Sequence, residues 1–499
     1  MTEGKKIALV LIVSLGLGLL FDYFFYGNKL GISFPLYTVL VAGIYFIFNY
    51  LFAKKLTARI IALFFCVFLF SAFVAVRDNG FLIFLDVMAI LGLSLLVVKE
   101  SVGINLRNYS LADYIFTTLS APFFLLGRAI MFLADAINHK PVVKETIARK
   151  VIVGLVMAIP VIIVFVLLFS SADLVFQRYV DDLINFKISP ELPIHVFLIV
   201  IVTLLLTGTW AVIYFGKQVP ELNKSSSLKI GNAVIVTFLS AINLLFLLFV
   251  FIQIGYLFGG EKNITEAGFT YAEYARKGFG ELVWVAFLSF LIILGSEHLI
   301  TKKDSGKHFG SYTFSSLALT ILVLVITISA FKRLVLYVDA YGLTIDRFLS
   351  SSFVVWLVVL FLLMGYKIIR SKSAAFLGSA VLVSLILFVV ALNLANPDAL
   401  IANVNIDRYR NTGKLDLNYL TILSADAVPA MVKFTQEGTE DERKLVSKDL
   451  YNRKATMDAD IKWQSFNFSR DIAIEKINSS LKYFEQFKDF QAKDPSIFD

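Results

Sequence analysis

Cysteine is almost absent from this chain of 499 residues, with Cys66 the one thiol. That excludes an intrachain disulfide and says nothing about the redox compartment. Histidine is scarce as well. His139, His195, His298 and His308 show no metal-ligand spacing, and Glu297-His298 lacks the second histidine of a zinc-protease helix. The chain carries no glycine-rich phosphate loop ending in Lys-Ser/Thr, no Gly-x-Ser-x-Gly nucleophile turn and no dinucleotide-binding glycine fingerprint. "GLGLL" near the N-terminus is small-residue helix packing. No catalytic residue, metal ligand or cofactor is legible. Charged residues are few too, at 17%, and the net charge of +8 is not a nucleic-acid footprint. Its first-part basic residues sit in short loops between apolar runs, where they orient spans.

What is abundant is apolar. Hydrophobic residues make up 58% of the chain, aromatics 14%, and the mean hydropathy is +0.78. Soluble domains hold roughly 45–50% apolar residues. Runs of about 20 apolar residues recur, each able to cross about 30 Å of hydrocarbon as a helix. Backbone groups in lipid must pair internally, and continuous rather than alternating runs exclude a barrel. The expected fold is all-α: a polytopic membrane bundle. Candidate spans fall at 7–26, 31–53, 59–76, 80–98, 150–171, 193–215, 231–258, 282–300, 312–331, 352–369 and 374–395, about eleven. The first has a basic start like a signal peptide but no small-residue cleavage site, so it reads as an uncleaved span. Residues 111–137 are apolar yet carry Asp113, Arg128 and Asp135, which fits an interfacial or re-entrant segment.

Loop charge orients the bundle. One alternate set of loops and flanks carries 21 Lys and Arg, the other 10. The excess marks the cytoplasmic side, which puts the N-terminus inside and, with an odd number of spans, the C-terminus outside. The implied site is a multi-pass protein of the cell membrane. Two domains are expected, a membrane domain over 1–395 and an extracytoplasmic helical tail over 396–499.

In the tail, Asn396, Pro397 and Asp398 read as N-cap, first helical residue and first-turn acid, with a helix to about Asn411 closed by Gly413. Asp416 caps "LNYLTILS", and Ser424 precedes "ADAVPAMVKF". Ile477, Leu481 and Phe484 recur at helical spacing. No clean repeat period is present. The other polar concentration is "TYAEYARKGFGE", residues 270–281, set between two apolar runs on the outer side. On a helix Tyr271, Tyr274 and Gly278 share a face, and Glu273 and Lys277 are an i,i+4 pair. It reads as an interfacial helix, or more sharply as a binding surface using Tyr274, Arg276 and Glu281.

This stretch, with "LYVDAYGLTIDRF" at 336–348 and "NPDALIANVNIDRYRNTGKLDLNYLTILSADAVPA" at 396–430, resembles the bacterial polytopic membrane proteins grouped as domain of unknown function 4173, related to 4153. The matching positions are Tyr274, Arg276, Gly278, Tyr341, Gly342, Arg347, Asn405, Arg408, Tyr409, Gly413, Asp416, Tyr419, Asp426 and Pro429. The resemblance implies an integral membrane protein and carries over no catalytic residue. All three stretches fall on one side of the membrane, as a shared site or the docking of the tail would require. Arg333 and Arg347 are placed to pair with Asp398, Asp416 or Asp426, and Arg276 with Glu281 or a tail acid.

Two acids lie inside spans, Asp22 near the outer end of the first and Asp86 near that of the fourth, at similar depth. Intramembrane acids are costly and raise a functional hypothesis, either a proton or cation path or polar helix packing. Three functions follow in order. The first is a non-enzymatic scaffold or sensor whose outer face meets an envelope protein or small-molecule ligand, in contact with the lipid bilayer. The second is a secondary transporter using Asp22 and Asp86. The third is a membrane enzyme at the outer face.

Overall fold

The computed structural model describes residues 2–138, 191–216, 230–258, 279–300, 307–458 and 462–490, with residues 169, 173 and 178. Among the described residues, eleven long apolar helices come first. They are α1 (Glu3–Phe25), α2 (Ser33–Leu51), α3 (Ala58–Val76), α4 (Gly80–Ser101), α5 (Leu111–Asn138), α6 (Leu192–Phe215), α7 (Asn232–Phe258), α8 (Phe279–Leu299), α9 (Lys307–Tyr341), α10 (Ile345–Ile369) and α11 (Ala374–Ala395). By length and composition all eleven can cross a membrane. Polar residues set the boundaries. Thr57, Asn79, Thr344 and Ser373 each accept backbone N–H bonds from the first turns of α3, α4, α10 and α11. The expected span over 150–171 lies, Phe169 apart, outside the described residues.

The helices pack as two groups. In one, α1 packs on α6, α2 on α3 and α3 on α4; in the other, α9 packs on α7, α8 and α10. α11 joins them, touching α4, α5 and α10. Tyr45, Phe48 and Trp210 fill the first core, and Phe290, Leu357 and Phe361 fill the second.

α5 has the length of a span, but its contacts keep both its ends at the end of the bundle where α1 begins. Tyr109 and Ser110, just before it, press on Gly378 at the start of α11. Midway, Lys99 at the finish of α4 lies 5.8 Å from the Phe124 ring. Near its C-terminus, Phe132 packs 4.9 Å from Phe215, the last residue of α6. Gly208 makes the crossing with α6 possible, because a Cβ there would sit 2.0 Å from the Leu125 carbonyl oxygen. One face is buried through Tyr114, Ala121, Leu125, Ala129 and Phe132, while Phe116, Leu119 and Phe123 are exposed. Asp113, Thr117, Ser120, Arg128 and Asp135 form a polar stripe between. This distribution of a buried face, a polar stripe and an exposed apolar face is that of an amphipathic helix.

The tail follows α11 after a single residue. Asn396 adopts φ +49° and turns the chain directly into α12 (Pro397–Thr412). Its side chain caps nothing, unlike the N-cap expected of it. Gly413, at φ +69°, ends α12, and Asp416 caps α13 (Leu417–Ile422). Then come α14 (Val428–Phe434), α15 (Glu440–Asp458), α16 (Phe468–Ser479) and α17 (Leu481–Glu485). The helical spacing of Ile477, Leu481 and Phe484 is interrupted at Ser480, so their side chains reach the core from two helices. That core includes Met431, Phe434, Leu450 and Ile477, and also Leu343 from the turn between α9 and α10. Val338, Ile345 and Phe348 pack on it as well.

Candidate functional site at the bundle–tail junction

The turn between α3 and α4, Arg77-Asp78-Asn79, is the centre of the junction. It is a short polar interval between two apolar runs, and each of its side chains reaches the tail. Arg77 donates through Nε to the Asn393 carbonyl at 2.8 Å and through Nη1 to Asp426 at 3.5 Å. Asp426 is 6% exposed and is well supplied with donors. The Asp78 N–H at 2.9 Å, the Ser469 hydroxyl at 2.5 Å and the Ser424 hydroxyl at 3.3 Å also reach it. Asn79 serves two ends at once. Its Oδ1 accepts from the N–H groups of Phe81 and Leu82, and its Nδ2 donates to Asp398 at 3.0 Å. The other Asp398 oxygen accepts from the Ser424 N–H at 3.0 Å. Asp398 is thus not merely a first-turn acid of α12. It is 3% exposed and bonded on both oxygens.

Asp78 completes the turn. Its Oδ2 accepts from the Ala425 N–H at 3.3 Å, and Arg470 Nε lies 3.3 Å from its Oδ1. Burial pushes this carboxyl above its ordinary value even though Arg470 pulls it down. Arg470 also donates to the Leu30 carbonyl at 2.8 Å, and Asn467 to those of Val74 and Arg77. The Ile32 N–H donates to the Phe466 carbonyl at 2.8 Å, where Gly31 alone leaves room, since a Cβ would meet that oxygen at 2.3 Å.

A second seam joins α12 to the turn between α9 and α10. Asn405 pairs with the Leu343 backbone twice, at 2.8 Å each way. Arg408 donates to the Ala340 carbonyl at 2.8 Å. The Tyr419 hydroxyl accepts from the Ile345 N–H at 2.6 Å, and burial raises its phenol. Gly342, at φ +82°, makes the turn that presents these groups.

The arginines expected to meet the tail acids have other partners. Arg347 lies 4.2 Å over the Tyr337 ring and donates to the carbonyls of Tyr341 and Gly342. Arg333 donates to Gln253 at 3.1 Å. Asp416 is taken by its own helix, accepting from the Tyr419 N–H at 2.8 Å, and Tyr341 is half exposed. Glu281 is exposed in the first turn of α8. Tyr271, Tyr274 and Arg276 lie outside the described residues. The intramembrane acids each have a polar partner. Both Asp22 oxygens lie within 2.8 Å of His195 Nδ1, and Tyr26 covers the imidazole at 3.9 Å. Asp86 accepts from Asn393 Nδ2 at 2.7 Å. Near the other end of the bundle Lys367 contacts Glu297. Among the described residues no three His, Cys, Asp or Glu side chains are grouped to hold a metal ion.

The sequence reading overlooked Asp78, Asn79, Asn467, Ser469 and Arg470, counted Arg77 only as a loop charge and placed Ser424 only at the start of a tail helix. One signal was available: four consecutive polar or turn-forming residues, Arg77-Asp78-Asn79-Gly80, between two apolar runs.

These helices and the junction define a multi-pass α-helical membrane protein with a docked helical tail. Residues 64–434 match the model of the family described as a domain of unknown function, DUF4153, and the chain belongs to that family. No curated protein and no solved structure matches significantly. The matched stretch runs from α3 through α14, so it contains the Arg77-Asp78-Asn79 turn together with Asp398, Asn405 and Asp426.

Proposed function

We propose that this protein is a non-enzymatic scaffold or sensor of the bacterial cell membrane, with its N-terminus in the cytoplasm and its tail held outside as a fixed platform. The observation that carries this is the burial of Asp398 and Asp426 in bonds that run from the tail to the end of the bundle. A domain tethered only by its chain would leave such groups in water. The cost of burying them is offset by geometry that holds the tail in one orientation. The candidate face for an envelope protein or small-molecule ligand is the outer side, to which loop charge assigns Glu281 and the stretch holding Tyr271, Tyr274 and Arg276. The three quoted stretches also favour a closer kinship with the related family 4173.

Secondary transport through Asp22 and Asp86 is the second reading, and chemistry at the outer face the third. The retention of Asp22 by His195 and of Asp86 by Asn393 favours packing over passage. Proteoliposomes holding the purified chain decide between the first two. The scaffold reading expects no proton or cation flux above protein-free vesicles. Flux abolished by Asp22→Asn would establish transport instead.

A further inference from the structure

Asp86 differs from the other buried acids in what surrounds it. Asp398 and Asp426 accept donors on both oxygens. Asp86 is 0% exposed, and one amide hydrogen, from Asn393, reaches its Oδ1. Among the described residues no donor reaches its Oδ2. Its partner shows the mirror defect. Asn393 is also 0% exposed, and its Oδ1 lacks a donor among the described residues. Its Nδ2 is satisfied, bonding Asp86 and the Val389 carbonyl.

Two bare acceptors on two side chains already joined by one hydrogen bond need a single hydrogen between them. A carboxyl and an amide close such a pair when the acid is protonated. Asn393 Nδ2 then donates to Asp86 Oδ1, and the Asp86 Oδ2–H donates to Asn393 Oδ1. Fixed charge does not remove the need. Among the described residues, the cation that acts on Asp86 is Arg77, already engaged by the Asn393 carbonyl and Asp426. α11, which carries Asn393, has no titratable residue. α3 carries Arg59 at its far end with Glu100, and Cys66. The titratable groups of α6 are His195, held by Asp22, and Tyr214, which donates to the Tyr45 carbonyl. Those of α5, Asp113, Tyr114, Arg128 and Asp135, belong to the opposite end of the bundle. A bare buried carboxylate oxygen is expensive in such surroundings, and neutralisation by a proton is the ordinary escape.

We propose that Asp86 is a proton-binding site, holding one proton at neutral pH in a cyclic acid–amide pair with Asn393 between α4 and α11. This goes beyond the scaffold reading and does not rest on it. Infrared spectra of the purified full-length protein at neutral pH test it. A protonated-carboxyl carbonyl band should be present in the wild type and missing in Asp86→Asn. That variant should also melt with the wild type, because its amide replaces the acid hydroxyl as donor to Asn393. In Asn393→Leu the band should persist at a shifted frequency, having lost its amide partner. No band lost in Asp86→Asn means an ionised Asp86 and overturns the proposal. Failure of that variant to fold does the same, by showing that the charge is required. An unshifted band in Asn393→Leu overturns the pairing.

Discussion

At Arg77 one guanidinium bonds both the end of α11 and the buried acid of the tail, so it is the residue whose loss should be felt most. Arg77→Ala leaves Asp426 buried without its cation, and Asp426→Ala strands Arg77. Each should cost about 3–5 kcal/mol, the range for breaking one side of a buried pair. The double variant should cost much less than the sum, since the two share one interaction. Denaturant or thermal unfolding in detergent measures this, and additive losses would contradict it. Arg410, exposed with Asp407 and Glu437, is the control: Arg410→Ala should leave the melting temperature unchanged. Asp78 makes a pH prediction. Its folded carboxyl titrates above its ordinary value of 3.8, because burial disfavours the ion. Its contribution is therefore fully present below that ordinary value and fades as pH rises through the raised one. The melting temperature of the wild type relative to Asp78→Asn should fall across that interval. A flat difference would show that Arg470 cancels the effect of burial, and a rise would show that it outweighs it. At this scale the sequence was half legible. Asp398, Asp426, Asn405 and Arg408 stand out as polar residues of a tail segment facing the membrane. Their partners do not, because span counting places a residue at one end of the bundle without saying which helix lies beside it. Arg333 and Arg77 are equivalent by that count, yet one meets Gln253 and the other Asp426.

Among the elements, α5 shows where a hydropathy window and charge placement disagree. Its 26-residue stretch Leu111–Ala136 is apolar enough to cross a bilayer. Asp113, Arg128 and Asp135 weigh against a lipid-facing span, and the contacts with Lys99, Phe215 and Gly378 keep it at one end of the bundle. In a background with Cys66 replaced by serine, single cysteines at Arg107 and at Asp135 should react with a membrane-impermeant maleimide from the same side. Labelling from opposite sides would make α5 a span. The spans themselves were legible because each is a continuous apolar run ending at a cap or a charge. The tail helices were legible from Gly413 and Asp416. Asn396 was not, since nothing local distinguishes an asparagine that caps by its side chain from one that turns the backbone through φ +49°.

For the whole molecule, the tail and the N-terminus lie at opposite ends of the bundle. The tail meets the finish of α1, α3, α9 and α11 and the start of α2, α4 and α10, so the direction of one helix sets both compartments. Charge supplies that direction. Around the end where α1 begins, Lys5, Lys54, Lys55, Arg370 and Lys372 are exposed. The loops and flanks of spans near the tail end carry fewer Lys and Arg, 10 against 21, and two of them, Arg77 and Arg347, are bound by Asp426 and the Tyr337 ring. The end with the exposed lysines should therefore be cytoplasmic. A fluorescent protein fused before Met1 should fold and glow, and an alkaline phosphatase fused after Asp499 should be active. The Asp426→Ala variant separates orientation from docking. Its phosphatase fusion should stay active, since the spans are unchanged, while protease digestion of the exposed tail should quicken as the junction loosens. A C-terminal phosphatase that is silent while a cytoplasmic reporter at the same position is active would reverse the orientation. It would then move the tail, and every group it buries at the junction, to the inner face.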